Sequence, residues 1–459
     1  MVEINVVDKV VKNDICIGCG VCAALCPNDA LEIEFNEYGE YNSSLTGDCI
    51  ESCNLCLNVC PFYDNFNENE LAEKRFSEDL NYDSNLGFYL NTYSGYSISG
   101  DYRKRGASGG LTTWLLEQLL KQNYVDYIIN VKPNKDNEKL FKYQIADSVE
   151  TLREGSGSAY YPIELSEVLE KVLGQDGRYA IVGLPCFLKA VELAKQKSNI
   201  LAKRIIFSLG LVCGQLKSKE FTNYIAQLSG IKNGVEEVSY RNKSDDQPAS
   251  NFYYYFKNKN RSSQIYWDQG ISKAWVNRWF TYNPCSYCDD TFAELADVTL
   301  MDAWLPEFIR DSKGTNLLVV RNKKVNNLLI KGKENKEVWL EEISSDKVVQ
   351  SQQGVIDIKE KKLSYRLLLA NNDNRYSPKK RVSPGDNINI FLKKEVKYRD
   401  EMQKLSKKLW KKVNDGDITF DEFNKIMEDK LNQLRIYNKI REIPSLPKRV
   451  IAKLFSYVK

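Results

Sequence analysis

The sequence contains no histidine among its 459 residues. A chain without histidine has no imidazole general base, no histidine-ligated zinc or haem, and no serine–histidine or cysteine–histidine nucleophile pair. It also lacks a complete G-x-x-x-x-G-K-[ST] phosphate loop and a complete G-x-G-x-x-G dinucleotide motif. Any redox chemistry must therefore come from bound cofactors.

Long hydrophobic runs and a strong excess of one charge are also missing. No window reaches the roughly 18 uninterrupted apolar residues of a membrane-spanning helix, and the first residues lack the apolar stretch of a signal peptide. The net charge is +3, which gives no indication of a nucleic-acid partner. We therefore expect a cytoplasmic protein with no transmembrane segment and no bound nucleic acid.

Cysteine, by contrast, is abundant: there are twelve. Most of them form two blocks near the N-terminus, each ending in Cys-Pro, and the blocks are Cys16-x-x-Cys19-x-x-Cys22-x-x-x-Cys26 and Cys49-x-x-x-Cys53-x-x-Cys56-x-x-x-Cys60. Disulfide frameworks belong to small secreted chains, and structural zinc sites use Cys-x-x-Cys pairs separated by a longer loop. The first block has the spacing of bacterial ferredoxins, so the sequence predicts two [4Fe-4S] clusters.

Ferredoxins of this type exchange ligands, because the fourth cysteine of each block serves the other cluster. We therefore assign one cluster to Cys16, Cys19, Cys22 and Cys60, and the other to Cys26, Cys49, Cys53 and Cys56. Three residues separate Cys49 from Cys53, where the pattern has two. Either a small bulge accommodates the extra residue or Cys49 is not a ligand.

The hydrophobic pattern divides the chain into four parts. We predict a ferredoxin-like domain over 1–63, a linker over 64–100 with a short helix near 70–76, an α/β flavin and iron–sulfur domain over 101–330, and a lysine-rich, mostly helical extension over 331–459. Buried strands are expected at 125–131, 179–183, 205–212, 298–301 and 317–321, shorter strands at 15–17 and 31–35, and C-terminal helices at 394–413 and 420–441. The expected fold is thus an α+β dicluster ferredoxin head, an α/β domain with a mainly parallel sheet, and a helical C-terminal extension. The last residues, 446–459, form a basic amphipathic segment that either packs or is solvated, or docks on a membrane surface or partner.

The remaining four cysteines do not form a ferredoxin block. Cys186 and Cys213 each follow an apolar segment that reads as a parallel strand, and the carboxyl ends of such strands are where open α/β sheets build their sites. Cys285-x-x-Cys288 adds a pair from a loop opened by Asn283-Pro284. Four converging thiols favour a third [4Fe-4S] cluster, with a zinc site, a redox disulfide or simple burial of Cys186 and Cys213 as alternatives.

Two glycine-rich loops are candidates for binding a phosphate. One contains Arg105, Ser108, Gly109 and Gly110 before a predicted helix at 111–120, with Ser108 as its N-cap; the other contains Gly157, Ser158 and Tyr160. Free N–H groups at a helix start beside arginines suit a phosphate, although an ordinary capped helix gives the same pattern. A flavin dinucleotide held by these loops would supply the two-electron chemistry that one-electron clusters lack.

Taken in order, these motifs resemble those of the family of coenzyme F420 hydrogenase/dehydrogenase beta subunits over roughly residues 15–325. The similar pieces after the ferredoxin head are Arg105-Gly-Ala-Ser-Gly-Gly110, Gly157-Ser-Ala-Tyr160, Gly183-Leu-Pro-Cys186, Leu211-Val-Cys213, Ser239-Tyr-Arg-Asn-Lys243, Cys285-Ser-Tyr-Cys288-Asp289, Ala296-Asp297-Val298 and Asp302-x-Trp304. The resemblance implies an FAD beside a third [4Fe-4S] cluster that is held by Cys186, Cys213, Cys285 and Cys288. It also implies electron exchange with a deazaflavin or another organic acceptor. In the hydrogenase members that act on F420, the motif after the second strand is similar to Cys-x-Glu, whereas this chain has Cys213-Gly-Gln215.

Three functions fit the sequence. The first is an iron–sulfur flavoprotein oxidoreductase that takes electrons from ferredoxin or reduced F420 and passes them to an organic acceptor, with FAD as a cofactor and F420 as a further candidate. The second is a non-catalytic electron-transfer subunit of a hydrogenase or formate dehydrogenase complex, and the third is a zinc-stabilised binding module. A homo-oligomer or a catalytic partner subunit is compatible with either of the first two, and the sequence assigns no catalytic residue.

Overall fold

The computed structural model describes residues 5–63, 66–76, 80–136, 138–232 and 234–441. The basic segment at 446–459 lies outside these residues. Across the described part of the chain, no helix combines the length and the apolar character that crossing a membrane requires.

Strands and helices alternate along most of the chain. The strands in chain order are β1 (Leu31–Phe35), β2 (Tyr41–Leu45), β3 (Asn81–Asp83), β4 (Gly87–Tyr89), β5 (Asn91–Ser97), β6 (Tyr127–Pro133), β7 (Phe141–Ala146), β8 (Tyr179–Gly183), β9 (Ile205–Leu211), β10 (Glu237–Asn242), β11 (Tyr253–Lys257), β12 (Ser262–Tyr266), β13 (Val298–Asp302), β14 (Asn316–Val320) and β15 (Val338–Glu342). The α-helices are Val21–Ala24, Leu55–Asn58, Glu68–Phe76, Tyr102–Arg105, Leu111–Lys121, Val149–Arg153, Ser166–Gly174, Pro185–Lys197, Asn199–Arg204, Lys219–Leu228, Ile271–Val276, Pro306–Ile309, Lys323–Glu334, Ser345–Ser351, Gln353–Lys359, Lys361–Asn372, Ile390–Asp415 and Phe420–Arg441. A π-helical turn covers Val7–Val11, and 3₁₀ turns cover Trp267–Gln269 and Asn283–Tyr287.

The N-terminal head is a small α+β unit in which the antiparallel hairpin β1–β2 packs with two one-turn helices. Strand β1 lies where the sequence predicted it. The predicted strand at 15–17 is wrong: these residues form a loop, in which Gly18 adopts φ +67° and its N–H donates to Cys16 Sγ at 3.4 Å. The apolar side chains of Ile15 and Ile17 are buried all the same, so the loop contributes to the core while it presents the thiol.

An eight-stranded sheet with the order β15-β5-β14-β13-β9-β8-β6-β7 forms the centre of the molecule. Its four inner strands, β13, β9, β8 and β6, run parallel, whereas β7 on one side and β14, β5 and β15 on the other are antiparallel additions. The expectation of a mainly parallel sheet is therefore corrected to a mixed sheet with a parallel centre. The carboxyl ends of the four parallel strands meet at one edge.

Two of the outer strands come from segments that the hydrophobic pattern placed outside the α/β domain. Strand β5 lies within the expected linker, and β15 lies within the expected C-terminal extension. Strand β5 pairs with both β14 and β15, so the sheet joins residues from widely separated parts of the chain.

A separate antiparallel sheet, β10-β11-β12, stands beside the large one. The aromatic run at 251–256 supplies β11, whose residues alternate between half-buried and buried, as a strand packed on one face does. Between β15 and residue 441 the structure is mostly helical, and the helices Ile390–Asp415 and Phe420–Arg441 pack against each other. The predicted capping box at the start of the helix Phe420–Arg441 has both of its hydrogen bonds. Thr419 N donates to Glu422 Oε2, and Glu422 N donates to Thr419 Oγ1.

Candidate iron–sulfur and cofactor site

The head brings together the thiols of Cys16, Cys19, Cys22 and Cys60, which are the first group of thiols. Burial raises the pKa of Cys22 well above its ordinary value, and negative charge on Cys19, Cys16 and Cys60 raises it further. Burial likewise raises the pKa of Cys19 to about 12, with Cys16 adding to the effect. Cys60 therefore lies with the first block although it belongs to the second, in the exchanged arrangement that the ferredoxin spacing predicts.

The second group of thiols lies under the N-terminal segment. Burial raises the pKa of Cys56, and the neighbouring Cys53 and Cys49 raise it further. The effect of Cys49 on Cys56 places it in this group despite the extra residue in its block, and its Sγ lies 3.7 Å from the amide Nδ2 of Asn5. No sequence signal indicated Asn5, because a single asparagine before an apolar turn has no distinctive pattern.

Cys26 stands in a loop that is tied to the second group. Its Sγ accepts a hydrogen bond of 3.3 Å from Ala30 N. Two residues after Cys26, the Asn28 side chain donates to the carbonyl of Asp48, next to Cys49, at 2.7 Å. The loop that carries Cys26 is thus held against the loop that carries Cys49.

The four later cysteines, which are the third group of thiols, converge at the carboxyl edge of the parallel strands. Cys186 lies in the first turn of the helix after β8, Cys213 follows β9, and Cys285 and Cys288 lie in and just after the 3₁₀ turn at 283–287. Burial raises the pKa of Cys186 well above its ordinary value, and the charges of Cys288, Cys213 and Cys285 raise it further. Leu216 N donates to Cys285 Sγ at 3.2 Å.

The first and third groups of thiols are neighbours. After burial and the other three thiols of its group, Cys19 also raises the pKa of Cys186. Burial chiefly raises the pKa of Tyr143, and the charges of Cys186 and Cys19 raise it further. The Tyr143 hydroxyl donates to the carbonyl of Val182 at 3.1 Å, at the end of β8. The head therefore docks with its first group of thiols toward the third.

Groups of four neighbouring thiols that are buried or half-buried are an unfavourable arrangement for free cysteine. All twelve cysteines lie in described segments and none forms a disulfide. Burial and neighbouring thiols disfavour the thiolates of Cys22 and Cys186, and iron cations remove that penalty because they bind the thiolate form. Within the described segments no set of three or more cysteine, aspartate or glutamate side chains is arranged to hold a single metal ion; a cubane cluster places each thiolate on a different iron.

A cavity of about 2020 Å³ opens beside the third group, and Cys213 is part of its wall. It lies at the carboxyl ends of β6, β8, β9 and β13 and is covered by β10 and β11 of the smaller sheet. Small-molecule sites usually measure about 300–1,000 Å³, so this space is large enough for a dinucleotide.

The glycine loops border this cavity, with two corrections to the sequence prediction. Arg105, Ser108, Gly110, Gly157, Ser158 and Tyr160 line it. Gly109 instead packs against the sheet, where a Cβ would lie 2.6 Å from the carbonyl oxygen of Gly95. Ser108 is not the N-cap of the helix Leu111–Lys121: Gly110 holds that position at φ +82°, and Ser108 Oγ donates to the carbonyl of Thr315 at 2.7 Å.

Two basic residues of the Ser239–Lys243 element organise the cavity wall. Arg241 is buried and forms a bidentate ion pair with Asp302, at 2.9 and 2.8 Å. Its Nε is buried and has no hydrogen-bond partner among the described residues. Lys243 Nζ donates to the main-chain oxygens of Arg103 and Ser108, at 2.5 and 2.6 Å, and so holds the first glycine loop in place.

Gln215 occupies the position that corresponds to the glutamate of the Cys-x-Glu motif, where this chain has Cys213-Gly-Gln215. Its Nε2 donates to Trp275 O at 2.8 Å, and its Oε1 accepts from Thr281 Oγ1 at 2.7 Å. The neutral amide therefore satisfies both of its polar ends within the wall of the cavity.

These features define an iron–sulfur protein with a dicluster head on an α/β domain that encloses a large cavity. A 4Fe-4S dicluster domain model matches residues 15–63, and the N-terminal and C-terminal models of the coenzyme F420 hydrogenase/dehydrogenase beta subunit match residues 92–170 and 176–346. The chain therefore belongs to the family of coenzyme F420 hydrogenase/dehydrogenase beta subunits, and the resemblance drawn from its motifs is confirmed.

Known proteins are also similar to the chain, among them the following two. A subunit of the F(420)H(2) dehydrogenase of Methanosarcina mazei is 24% identical over 319 residues, which cover 67% of this chain and 82% of the relative. A chain from the F420-reducing [NiFe] hydrogenase complex of Methanosarcina barkeri matches with 18% identity and a TM-score of 0.48, over 62% of this chain and 95% of the other.

Proposed function

We propose that the protein is an iron–sulfur flavoprotein oxidoreductase that moves electrons between its dicluster head and an organic acceptor in the 2020 Å³ cavity. The observation that carries the proposal is the continuity of the thiols. Cys19 of the first group neighbours Cys186 of the third, and Cys213 of the third lines the cavity. A path from the head to the cavity thus runs through one molecule.

Within that path we assign three [4Fe-4S] clusters to the three groups of cysteines. The ligand sets are Cys16, Cys19, Cys22 and Cys60; Cys26, Cys49, Cys53 and Cys56; and Cys186, Cys213, Cys285 and Cys288. Cluster thiolates exchange single electrons, so chemistry on an organic substrate needs a two-electron partner.

An FAD in the cavity is the partner that we propose. Arg105 and the glycine loops at 106–110 and 155–158 border the space, and at Gly157, where φ is +111°, a Cβ would meet no described atom closer than the Arg105 oxygen at 3.8 Å. The Nε of Arg241, which no described residue engages, supplies a buried donor in the same wall. These groups suit an anionic cofactor whose rings lie against the aromatic residues of the smaller sheet.

Composition analysis of anaerobically purified protein tests this proposal. We expect about twelve iron atoms and as many sulfides per chain, since each cubane holds four, together with one flavin. A C285S/C288S double variant should lose about four irons and keep the head clusters, because those cysteines are not in the head. About eight irons in the wild type, with no flavin, would rule the proposal out.

A second candidate is a non-catalytic electron-transfer subunit that reduces or oxidises a partner. The name of the Methanosarcina mazei relative, a dehydrogenase subunit, favours it. This function predicts that the purified chain holds its clusters but oxidises neither reduced ferredoxin nor reduced F420 with any organic acceptor unless a catalytic subunit is added. Turnover by the isolated chain would decide for the first candidate.

A further inference from the structure

The helices that follow β15 extend past the family models, which end at residue 346. One of them, Gln353–Lys359, ends on a lysine that is only 2% exposed. Lys359 Nζ donates to Cys288 Sγ at 3.2 Å and to the main-chain oxygen of Asp290. Of these two acceptors only the thiol can carry a formal negative charge, so a buried ammonium is directed at the third group of cysteines.

The charge of Lys359 also reaches the rest of that group. After burial, which has the larger effect, Lys359 is the strongest charge acting on Cys213, and it acts on Cys285 together with Arg278. A buried cation is costly unless an anion compensates for it. Burial lowers the pKa of Lys359, but Cys288, Cys213 and then the Asp290 carboxyl outweigh it and raise that pKa above its usual value. The thiolates of an iron–sulfur cluster would therefore provide most of that anion, and the burial of Lys359 keeps water from screening the interaction.

Carboxyl groups, and not an ammonium, act on the first group of cysteines. After burial and hydrogen bonds, Glu40 and Asp14 raise the pKa of Cys16, and Glu164 acts on Cys19 after Cys16. Glu40 is itself paired with Lys407, which offsets part of its charge. Negative charge near a cluster disfavours its reduced form, whereas positive charge favours it, and potentials of such clusters depend on net charge and on hydrogen bonds to sulfur.

We propose that Lys359 raises the reduction potential of the cluster held by Cys186, Cys213, Cys285 and Cys288, so that the C-terminal segment completes the electron path of the family domain. This inference rests on the proposed third cluster. One electron that leaves the reduced cluster in the first group of thiols and enters the oxidised cluster beside Lys359 moves toward the cavity. Lys359 is a positioning residue in this sense: it acts through Cys288 and touches no substrate.

An EPR-monitored redox titration of the anaerobic full-length protein tests the inference. The variants are K359M and K359Q, which remove the charge, and K359R, which keeps it. We expect the equilibrium constant for transfer from the first to the third cluster to fall at least tenfold in both neutral variants, which is about 59 mV for a one-electron couple. K359R should stay near the wild-type value.

Lys361 offers a matched control two residues away. Its side chain is 60% exposed and pairs with Asp357, so K361M removes the same formal charge where water screens it. We expect no change in potential. An unchanged third-cluster potential in K359M and K359Q, with all three clusters present, would overturn the role of Lys359.

Iron content separates the two failures. A wild-type protein with about eight irons and no third signal would contradict the third cluster itself, and with it the proposed function. If the neutral variants lose the third cluster, K359R carries the test: it must then keep both the cluster and a potential close to wild type, and a large fall there would refute the proposal.

Discussion

At the scale of single residues, the cavity wall depends on charged side chains that are held by other parts of the chain. Arg241 adopts φ +57°, an unusual conformation for a non-glycine residue, and its guanidinium lies over the rings of Phe252 and Trp304 while it pairs with Asp302. Lys243, two residues later, fixes the glycine loop through two main-chain oxygens. Strand β10 and the residue that follows it thus set both the charge of the cavity wall and the shape of its rim.

Lys243 should give the protein a measurable dependence of stability on pH. Burial, followed by the nearby Arg103 and Arg241, lowers the pKa of Lys243 from 10.5 to about 7. Between these values the unfolded chain binds more protons than the folded one, so the contribution of Lys243 to the free energy of unfolding rises from about pH 7 to about pH 10.5. Apparent melting temperatures measured across this range should rise less steeply in K243M than in the wild type.

The exposed Lys257 provides the comparison, since its side chain is 53% exposed. K257M should keep the wild-type slope of melting temperature against pH. Equal slopes for K243M and the wild type would show that Lys243 does not titrate in this range.

At the scale of elements, the glycine loop is built by backbone geometry and not by a side-chain cap. Gly110 begins the helix Leu111–Lys121 in the left-handed region, and a Cβ there would lie 2.4 Å from the main-chain carbon of Tyr102. Both the conformation and the close approach require glycine.

G110A should therefore destabilise the protein more than left-handed strain alone, which costs about 1–3 kcal/mol. Gly416 is a matched control, because it has φ +83° at the end of the helix Ile390–Asp415 and a Cβ there would have no described atom within 4 Å. We expect the melting temperature to fall further in G110A than in G416A, and only G110A should lose flavin. Equal effects would mean that the approach of Tyr102 relaxes at little cost.

The same elements show what the sequence could and could not predict. Strand β8 and the final helix lie where the sequence placed them, because an apolar run bounded by turn residues and a capping box are local signals. Strand β5, Asn91–Ser97, was missed because its small polar residues resemble a loop, and its strand conformation depends on β14 and β15 on either side. Antiparallel additions to a parallel centre are decided by such distant partners, so the mixed character of the sheet has no local signature.

The candidate site divides in the same way. Cysteine spacing predicted that Cys60 lies with the first block and that the four later cysteines converge, because the pattern of the ferredoxin head is local and two of the later thiols follow parallel strands. The assignment of Cys26 to the second group stays a prediction. The role of Lys359 could not be predicted from the sequence. It begins a Lys-Glu-Lys-Lys run that is typical of a solvated helix face, and only the tertiary structure shows that this first lysine is buried. Asn5 was missed for the same reason.

At the scale of the whole molecule, the C-terminal helices hold the head on the α/β domain. Lys407 and Glu40 form a buried ion pair at 3.0 Å between the helix Ile390–Asp415 and the residue before β2. Next to it, Tyr41 N donates to the hydroxyl of Tyr282 at 2.7 Å. The orientation of the head toward the third group of thiols thus depends on residues near the end of the chain.

K407M should loosen this contact, because removing one partner of a buried pair costs about 3–5 kcal/mol. Local opening at β2 should then become at least about 100-fold more frequent, since each 1.4 kcal/mol is a factor of ten. Hydrogen exchange of the amides at Tyr41–Leu45 measures this. K411M, on the same helix but at an exposed pair with Asp415, should leave their exchange unchanged, and equally slow exchange in K407M would argue against the contact.

The position of β5 has a consequence for the order in which the protein is made. Its two partners, β14 and β15, are translated long after it, so on the ribosome β5 lacks β14 until residue 320 has emerged and β15 until residue 342 has emerged. The head has its own hairpin and all eight of its cysteines within the first 60 residues, and domains generally fold as units with the N-terminal one first during synthesis. With the three clusters that we propose, metal loading would be divided into an early stage in the nascent head and a late stage that waits for the sheet to close, and a ribosome stalled near residue 150 should already carry a chain that accepts iron.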